Sequence, residues 1–438
     1  MSTAAVSEKE TFLRDFEALG KEHAPQWVSQ LRQRAMENFV ALEFPSTKNE
    51  NWRFTSVAPI LKTEFRTFAD TSKPEITELR PHLLSNQGTG HRLVFVNGRF
   101  AQELSAVTSL PPGVVIGSLL KSNAPVVEKH LGQHARFDQD IFTALNTGLF
   151  QDAAVVYVPD GCVIEAPIEL LFISSSRENA FINPRVLIVA GKASTTNIVE
   201  SYVGFNELPY FCNAVTEIVL EEGAVMEHYK VQKDNQRSYH LSATKVHQSR
   251  DSAYTSLVVT LGSKLSRNEL NVLLDGAGAS CNLNGLYLIG GTQHADHQTM
   301  IDHARPYGTS QELYKGILDG ESSAVFNGKI LVRKDAQRTD AKQTNKNLLL
   351  SDGARVNTKP QLEILADDVK CNHGATIGHL EEDALFYLRS RGISARRARM
   401  LLLYGFINDV TARMKSESVR TALDAVLSSQ LRQFAEAA

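Results

Sequence analysis

Cys371 and His373 are the most concentrated chemical pair in the chain, within Cys371-Asn372-His373-Gly374-Ala375-Thr376-Ile377-Gly378. One residue separates them. Side chains alternate along an extended strand, so both would point to the same face. A thiol and an imidazole that converge suit metal or sulfur binding, and a neighbouring imidazolium would favour the thiolate. The plainer alternative is a half-buried cysteine and a hydrogen-bonded histidine closing the end of a β-structure. A second cluster, His294, His297 and His303 with Asp296 and Asp302 between them, is less promising for a metal. Positions 294 and 297 of a strand face opposite sides, and ladders between neighbouring strands, or a face that meets a partner, account for them better.

The other cysteines are Cys162, Cys212 and Cys281. No two of the four make a Cys-x-x-Cys pair, which excludes a zinc ribbon, a thioredoxin-type motif and a complete local iron–sulfur binding run. It also argues against a disulfide framework and for a reducing compartment. There is no phosphate-binding G-x-x-x-x-G-K-[ST] loop and no G-x-S-x-G elbow. Adjacent carboxylates such as Asp367-Asp368 point apart on a strand, a weak signal for acid–base chemistry.

The elements that must position these residues change character along the chain. Phe12, Phe16 and Leu19, then Trp27, Leu31, Ala35 and Phe39, follow a helical period. Pro45 stops it, Asn51-Trp52-Arg53-Phe54-Thr55 is a polar, aromatic-studded connection, and a boundary loop is expected at about 70–90. From His91 the period falls to two. Apart from a short helical insertion near 121–150, a long succession of short strands runs to about Lys370. Acidic–glycine turns at Asp160-Gly161, Glu222-Gly223, Asp275-Gly276, Asp319-Gly320 and Asp352-Gly353, with Gly191 after another strand, give a loose period near thirty. That suits the stacked coils of a β-solenoid better than a single β-sandwich. Helix returns at Glu381 to Arg391, with Leu385 and Leu388 on one face and Gly392 at its end. It continues from about Ala395 to Lys415 and from about Glu417 to Ala435. The middle helix offers an apolar stripe of Ala398, Leu401, Leu402, Gly405 and Phe406, bordered by Arg389, Arg391, Arg396, Arg397 and Arg399. Such a stripe fits docking onto another protein or a face over a small core. The third buries Val419, Leu423, Val426, Leu427 and Leu431.

The 438 residues carry 46 Lys+Arg against 49 Asp+Glu, a net charge of −3. With no basic excess, binding to nucleic acid by bulk charge is not expected. Nor is a membrane span, since no apolar run reaches 18 residues. The first ten residues lack a signal-peptide core and the Arg-rich character of a transit peptide, which points to the cytoplasm.

The segment from Lys370 to Val410 resembles the SufB/SufD family of iron–sulfur cluster assembly proteins. The resemblance rests on Cys371 to Gly378 and on Leu385-Phe386-Tyr387-Leu388-Arg389-Ser390-Arg391-Gly392-Ile393. Upstream, His294-Ala295-Asp296-His297-Gln298-Thr299, Tyr314-Lys315-Gly316-Ile317 and Asn357-Thr358-Lys359-Pro360-Gln361-Leu362-Glu363-Ile364 are similar to the same family. Within it the chain is closer to the SufD type. SufB typically reads His-Glu-Ala-Thr-Thr-Ser where this chain has His373 to Gly378, and has a cysteine in the preceding coil, where this chain reads Ser351-Asp352-Gly353-Ala354-Arg355.

The resemblance implies a mainly β fold, a right-handed parallel β-helix with helical domains at both ends. Its expected divisions are 1–90, 91–375 and 376–438. It implies a non-catalytic scaffold that pairs with SufB at the C-terminal end of the two β-helices and recruits the ABC-type ATPase SufC through its C-terminal helices. Leu385, Leu388, Leu401, Leu402 and Phe406 are the docking candidates there. Cys371 and His373 become junction residues that share a metal or transient iron–sulfur cluster with SufB, with no permanently bound cofactor. A homodimer is expected when the chain is alone. The competing classes are a β-helical carbohydrate-acting enzyme and a purely structural, self-associating solenoid.

Overall fold

The alternation that begins at His91 becomes a β-helix of two facing parallel sheets in the computed structural model, which describes residues 3–20, 24–67, 74–84, 90–122 and 125–436. Among the described residues each sheet has ten strands, and the chain passes from one sheet to the other in every coil. One sheet ends on Lys370–Gly378 and the other on Arg355–Ile364. Neighbouring coils pair in parallel and in register, for example Cys281 to Ser310, Ser310 to Ala341 and Ala341 to Cys371. Side chains at equivalent positions therefore stack in columns through the interior. At the N-terminal end, antiparallel pairs stop the parallel stacking. There Asn97 and Gly98, both with positive φ, form the tight turn between His91–Val96 and Arg99–Phe100.

The thirty-residue period has two sources. Gly161, Ala193, Gly223, Asp251, Gly278, Tyr307 and Arg338 all adopt positive φ at one corner of successive coils. Each donates its N–H to a carbonyl of the next coil, from Gly161 to Lys192 through to Arg338 to Asp368. Asp319-Gly320 and Asp352-Gly353 belong to a second corner, where the Ser351 hydroxyl donates to the Gly320 carbonyl. The acidic–glycine series read from the sequence mixes the two corners, and four of the seven left-handed positions are not glycine.

Helices cover the outer faces. Thr3–Leu19, Gln26–Ala41 and Ile141–Leu149 bury Phe12, Leu31, Phe39 and Leu145 against Leu187, Phe211 and Val219 of one sheet. Ala395–Thr411 and Glu417–Glu436 bury Leu403, Ile407, Leu423 and Leu427 against Leu257, Leu286, Leu288 and Ile317 of the other. The C-terminal helices thus lie along the flank of the β-helix rather than on its end. Lys315 fixes them: its Nζ donates to the Phe406 carbonyl at 2.7 Å and to Asp409 Oδ2 at 2.6 Å, 4.5 Å from the Phe406 ring centre.

The boundary loop expected at about 70–90 falls partly on residues 68–73 and 85–89, outside the described residues. Within it Ile76–Leu79 is a short helix with a Glu75/Glu78 capping box. No described helix is long and apolar enough to cross a membrane.

Candidate functional site

Cys371 and His373 lie on the last strand of their sheet, Lys370–Gly378, opposite Ala341 and Gln343 of the coil below. Ala341 and Gln343 are buried and face the interior. Cys371 and His373 continue the same inward columns, so the same-face expectation holds. Among the described residues no further coil covers them. Cys371 is half-buried against the core and His373 is exposed. Partial burial pushes Cys371 up, the Asp340 charge adds to this, and contact with the Ala341 backbone only partly opposes it. Two donors do not complete a metal site. Among the described residues no three His, Cys, Asp or Glu side chains converge on a point that could hold a metal.

Beneath His373 the column continues inward to Gln343 and then Glu312. The Gln343 Nε2 donates to Glu312 Oε2 at 2.6 Å. Burial pushes the Glu312 carboxyl up to about 7 against that hydrogen bond. Sequence reading missed both residues, although coil-length spacing links positions 312, 343 and 373.

The other histidines separate as their spacing predicts. His294 faces outward between Thr55 Oγ1 at 2.9 Å and Ser323 Oγ at 2.7 Å. His297 is buried inside, with ring centres 5.0 Å from Tyr287 and 5.4 Å from Tyr314. His303 meets the Ser310 hydroxyl at 2.9 Å. The outward face carries a strap from the N-terminal region. Arg267 lies 3.8 Å from the Trp52 ring centre, donates to the Asn51 carbonyl at 2.9 Å and pairs with Asp296, and Thr55 donates to Asp296 at 2.6 Å. Beside the strap a cleft of about 500 Å³, lined by Arg53, Phe54, Lys359 and Ile377 among others, reaches the open end.

The C-terminal docking candidates are only partly on the surface. Leu385, Leu388, Leu402 and Phe406 are half-buried and Leu401 is 47% exposed. The face that the middle helix buries is Ala398, Leu403, Ile407 and Val410, so the stripe drawn through Leu401, Leu402 and Phe406 is rotated from the packed one. The run Met400 to Ile407 is apolar nearly all round, and its period does not select a face. Glu382–Ser390 buries no residue at all. Its Phe386 is 73% and Tyr387 57% exposed. Both stand in the run 385–388, where the sequence offered only the leucines as docking candidates.

The SUF system FeS cluster assembly, SufBD core domain matches residues 172–406, and the SufBD protein N-terminal region matches residues 8–170. An iron-sulfur cluster assembly SufBD family protein of Synechocystis sp. is 35% identical over 404 residues, covering 90% of this chain and 88% of that protein. The iron-sulfur cluster assembly protein SufD of Escherichia coli is 29% identical over 408 residues, covering 92% of both chains. SufD of Bacillus subtilis is 27% identical, with 98% of this chain and 99% of the relative covered. The β-helix, the helices at both ends and these matches along nearly the whole length agree: the chain belongs to the SufB/SufD family of iron–sulfur cluster assembly proteins.

Proposed function

We propose that this chain is a SufD-type, non-catalytic scaffold subunit that pairs end to end with SufB and presents Cys371 and His373 to a nascent iron–sulfur cluster, which passes through as cargo. The observation that carries this reading is the uncovered end of the β-helix. Two strands of ten and nine residues have their outer edges unpaired among the described residues, and the thiol and imidazole lie on the inward columns at that mouth. An open edge of this length is a template for another chain. SufB would bring the remaining thiolate and carboxylate ligands, since a single thiol cannot hold a four-thiolate cluster. Approach of such a partner also supplies what the isolated chain lacks, a positive or metal charge able to draw Cys371 to its thiolate.

Residues 376–438 form the SufC-docking unit on this reading. Phe386 and Tyr387 support it: aromatic side chains this exposed on a helix with no buried face are suited to a protein interface. Leu385, Leu388, Leu401, Leu402 and Phe406 would border that surface.

The test is complementation of a strain lacking the chain. His373→Ala abolishes maturation of iron–sulfur enzymes while the complex still co-purifies, and His294→Ala has a smaller effect. Normal maturation with His373→Ala would remove the site assignment. Truncation after Gly378, which takes away Phe386, Tyr387 and the helices that follow them, removes SufC from the purified complex, and retention of SufC would remove the docking assignment.

A further inference from the structure

We propose that Glu312 and Gln343 form a positioning relay for His373, in which the carboxylate grips the amide nitrogen and so aims the amide oxygen at the imidazole N–H. The inference rests on the reading of Cys371 and His373 as the assembly site. Three in-register residues on successive coils carry it: Glu312 lies opposite Gln343, and Gln343 opposite His373. Gln343 and Glu312 are buried, and Gln343 Nε2 donates to Glu312 Oε2 at 2.6 Å. The Gln343 Oε1 is buried with no hydrogen-bond partner among the described residues, so the amide has an acceptor left open.

A carboxylate only accepts hydrogen bonds, so it fixes which end of the amide faces it. The oxygen is then left for the other neighbour in the column, His373. The amide is also confined. A Cβ on Gly328 would lie 2.1 Å from Gln343 Nε2, so the glycine is what admits it. An imidazole that donates one N–H to a fixed carbonyl is held in a single tautomer, and its other nitrogen is free to bind a metal or sulfur species.

Burial lifts Glu312 to about 7, so the grip is firmest on the alkaline side of neutrality. Below it the neutral acid can donate and permit the reverse amide orientation. The titratable groups around Glu312 are Cys281 on the strand below and Tyr314 on its own strand, which both feel its charge, His297 on the facing sheet, and Cys371 and His373 on the strand beyond Gln343. The facing strand Ser323–Val332 contributes Gly328 and Phe326.

The test is the tautomer of His373 in the full chain with 15N-labelled histidine, read at pH 8 from long-range proton–nitrogen spectra and assigned by the signal lost in His373→Ala. The wild type is expected to show one tautomer, and Gln343→Leu an exchanging mixture. Glu312→Gln, which keeps shape but loses the fixed polarity, also gives a mixture. The swap Glu312→Gln with Gln343→Glu restores an acceptor at 343 and a single tautomer. Iron–sulfur enzyme maturation in cells falls about 10-fold with Gln343→Leu and recovers with the swap. An exchanging mixture in the wild type, or one unchanged tautomer across the variants, overturns the relay. If Gln343→Leu does not fold, the isosteric Glu312→Gln and the swap decide alone. Normal maturation in His373→Ala with a scrambled tautomer in Gln343→Leu would sink the assembly role and leave the relay. Lost maturation in His373→Ala with neither readout moved by Gln343→Leu would sink the relay alone.

Discussion

Two interior carboxyls show how local partners decide the cost of a buried charge. Glu200 is fully buried. Burial alone would raise its pKa, but a hydrogen bond with His228 at 3.1 Å and the charge of Lys230 at 3.7 Å overcome it and hold the group at about 2. Glu312 has only Gln343 and Thr299 against burial and rises to about 7. The signs of their pH dependence are opposite. A depressed carboxyl stabilises the fold above its unfolded value near 4.5, and that stability is lost as pH falls toward 2. A raised one is neutral at no penalty below 4.5 and destabilises progressively as pH rises through 7. Glu200→Gln is therefore expected to flatten the acid limb of a denaturation curve. Glu312→Gln should raise the melting temperature by a few degrees at pH 8 and leave it nearly unchanged at pH 4. Each effect is on the order of 3 kcal/mol, at 1.36 kcal/mol per pKa unit. Melting curves from pH 3 to 9 check both. At this scale the sequence revealed the Cys371–His373 pair, because alternation fixes a shared face. It concealed Glu312 and Gln343, whose significance comes from stacking across coils.

At the scale of elements, the coils hold register through close approaches that tolerate no added atoms. Tyr314 stacks over Gly285 and Tyr287 over Gly316 in adjacent strands. A Cβ at either glycine would lie 2.1 Å from the opposing ring. Gly316→Ala must displace Tyr287 from its contacts with Asn345 and Asn347, and a loss of roughly 1–3 kcal/mol is expected in chemical denaturation. Lys315 makes a different prediction, because it joins elements rather than coils. Lys315→Ala should leave the β-helix intact but speed hydrogen exchange in Ala395–Thr411, whose clamp it removes. The strands and helices were legible from their periods. The corner conformations were not, because Ala193, Tyr307 and Arg338 carry no residue signature for positive φ and are held there by the hydrogen bond from each corner to the next. The packed face of the middle C-terminal helix was hidden by an excess of apolar residues.

At the scale of the whole molecule, the two ends of the β-helix differ. The N-terminal end stops on antiparallel pairs and is flanked by helices, whereas the C-terminal end leaves two strand edges bare among the described residues. If that end pairs with SufB as proposed above, the chain alone is expected to pair with a second copy through it, since a surface fitted to a homologue can accept its own copy. Ile377, half exposed at the mouth, is the position to test. Ile377→Glu should shift the particle from dimer to monomer in light scattering without lowering the melting temperature, and co-expressed SufB should replace the homodimer in the wild type. The solenoid architecture was readable from the spacing of turns. The route of the N-terminal segment was not, because the contacts of Trp52 with Arg267 and of Thr55 with Asp296 bridge more than two hundred residues and leave no local trace. That strap also imposes a timetable on synthesis. Thr55 meets Asp296, 241 residues downstream, so at about 5–20 residues per second the ribosome needs roughly 12–50 s to deliver its dock. Over that interval Trp52 has Phe142 on one side but not the Arg267 that covers it in the folded chain, and the nascent protein must shelter it or rely on a chaperone until the middle coils emerge.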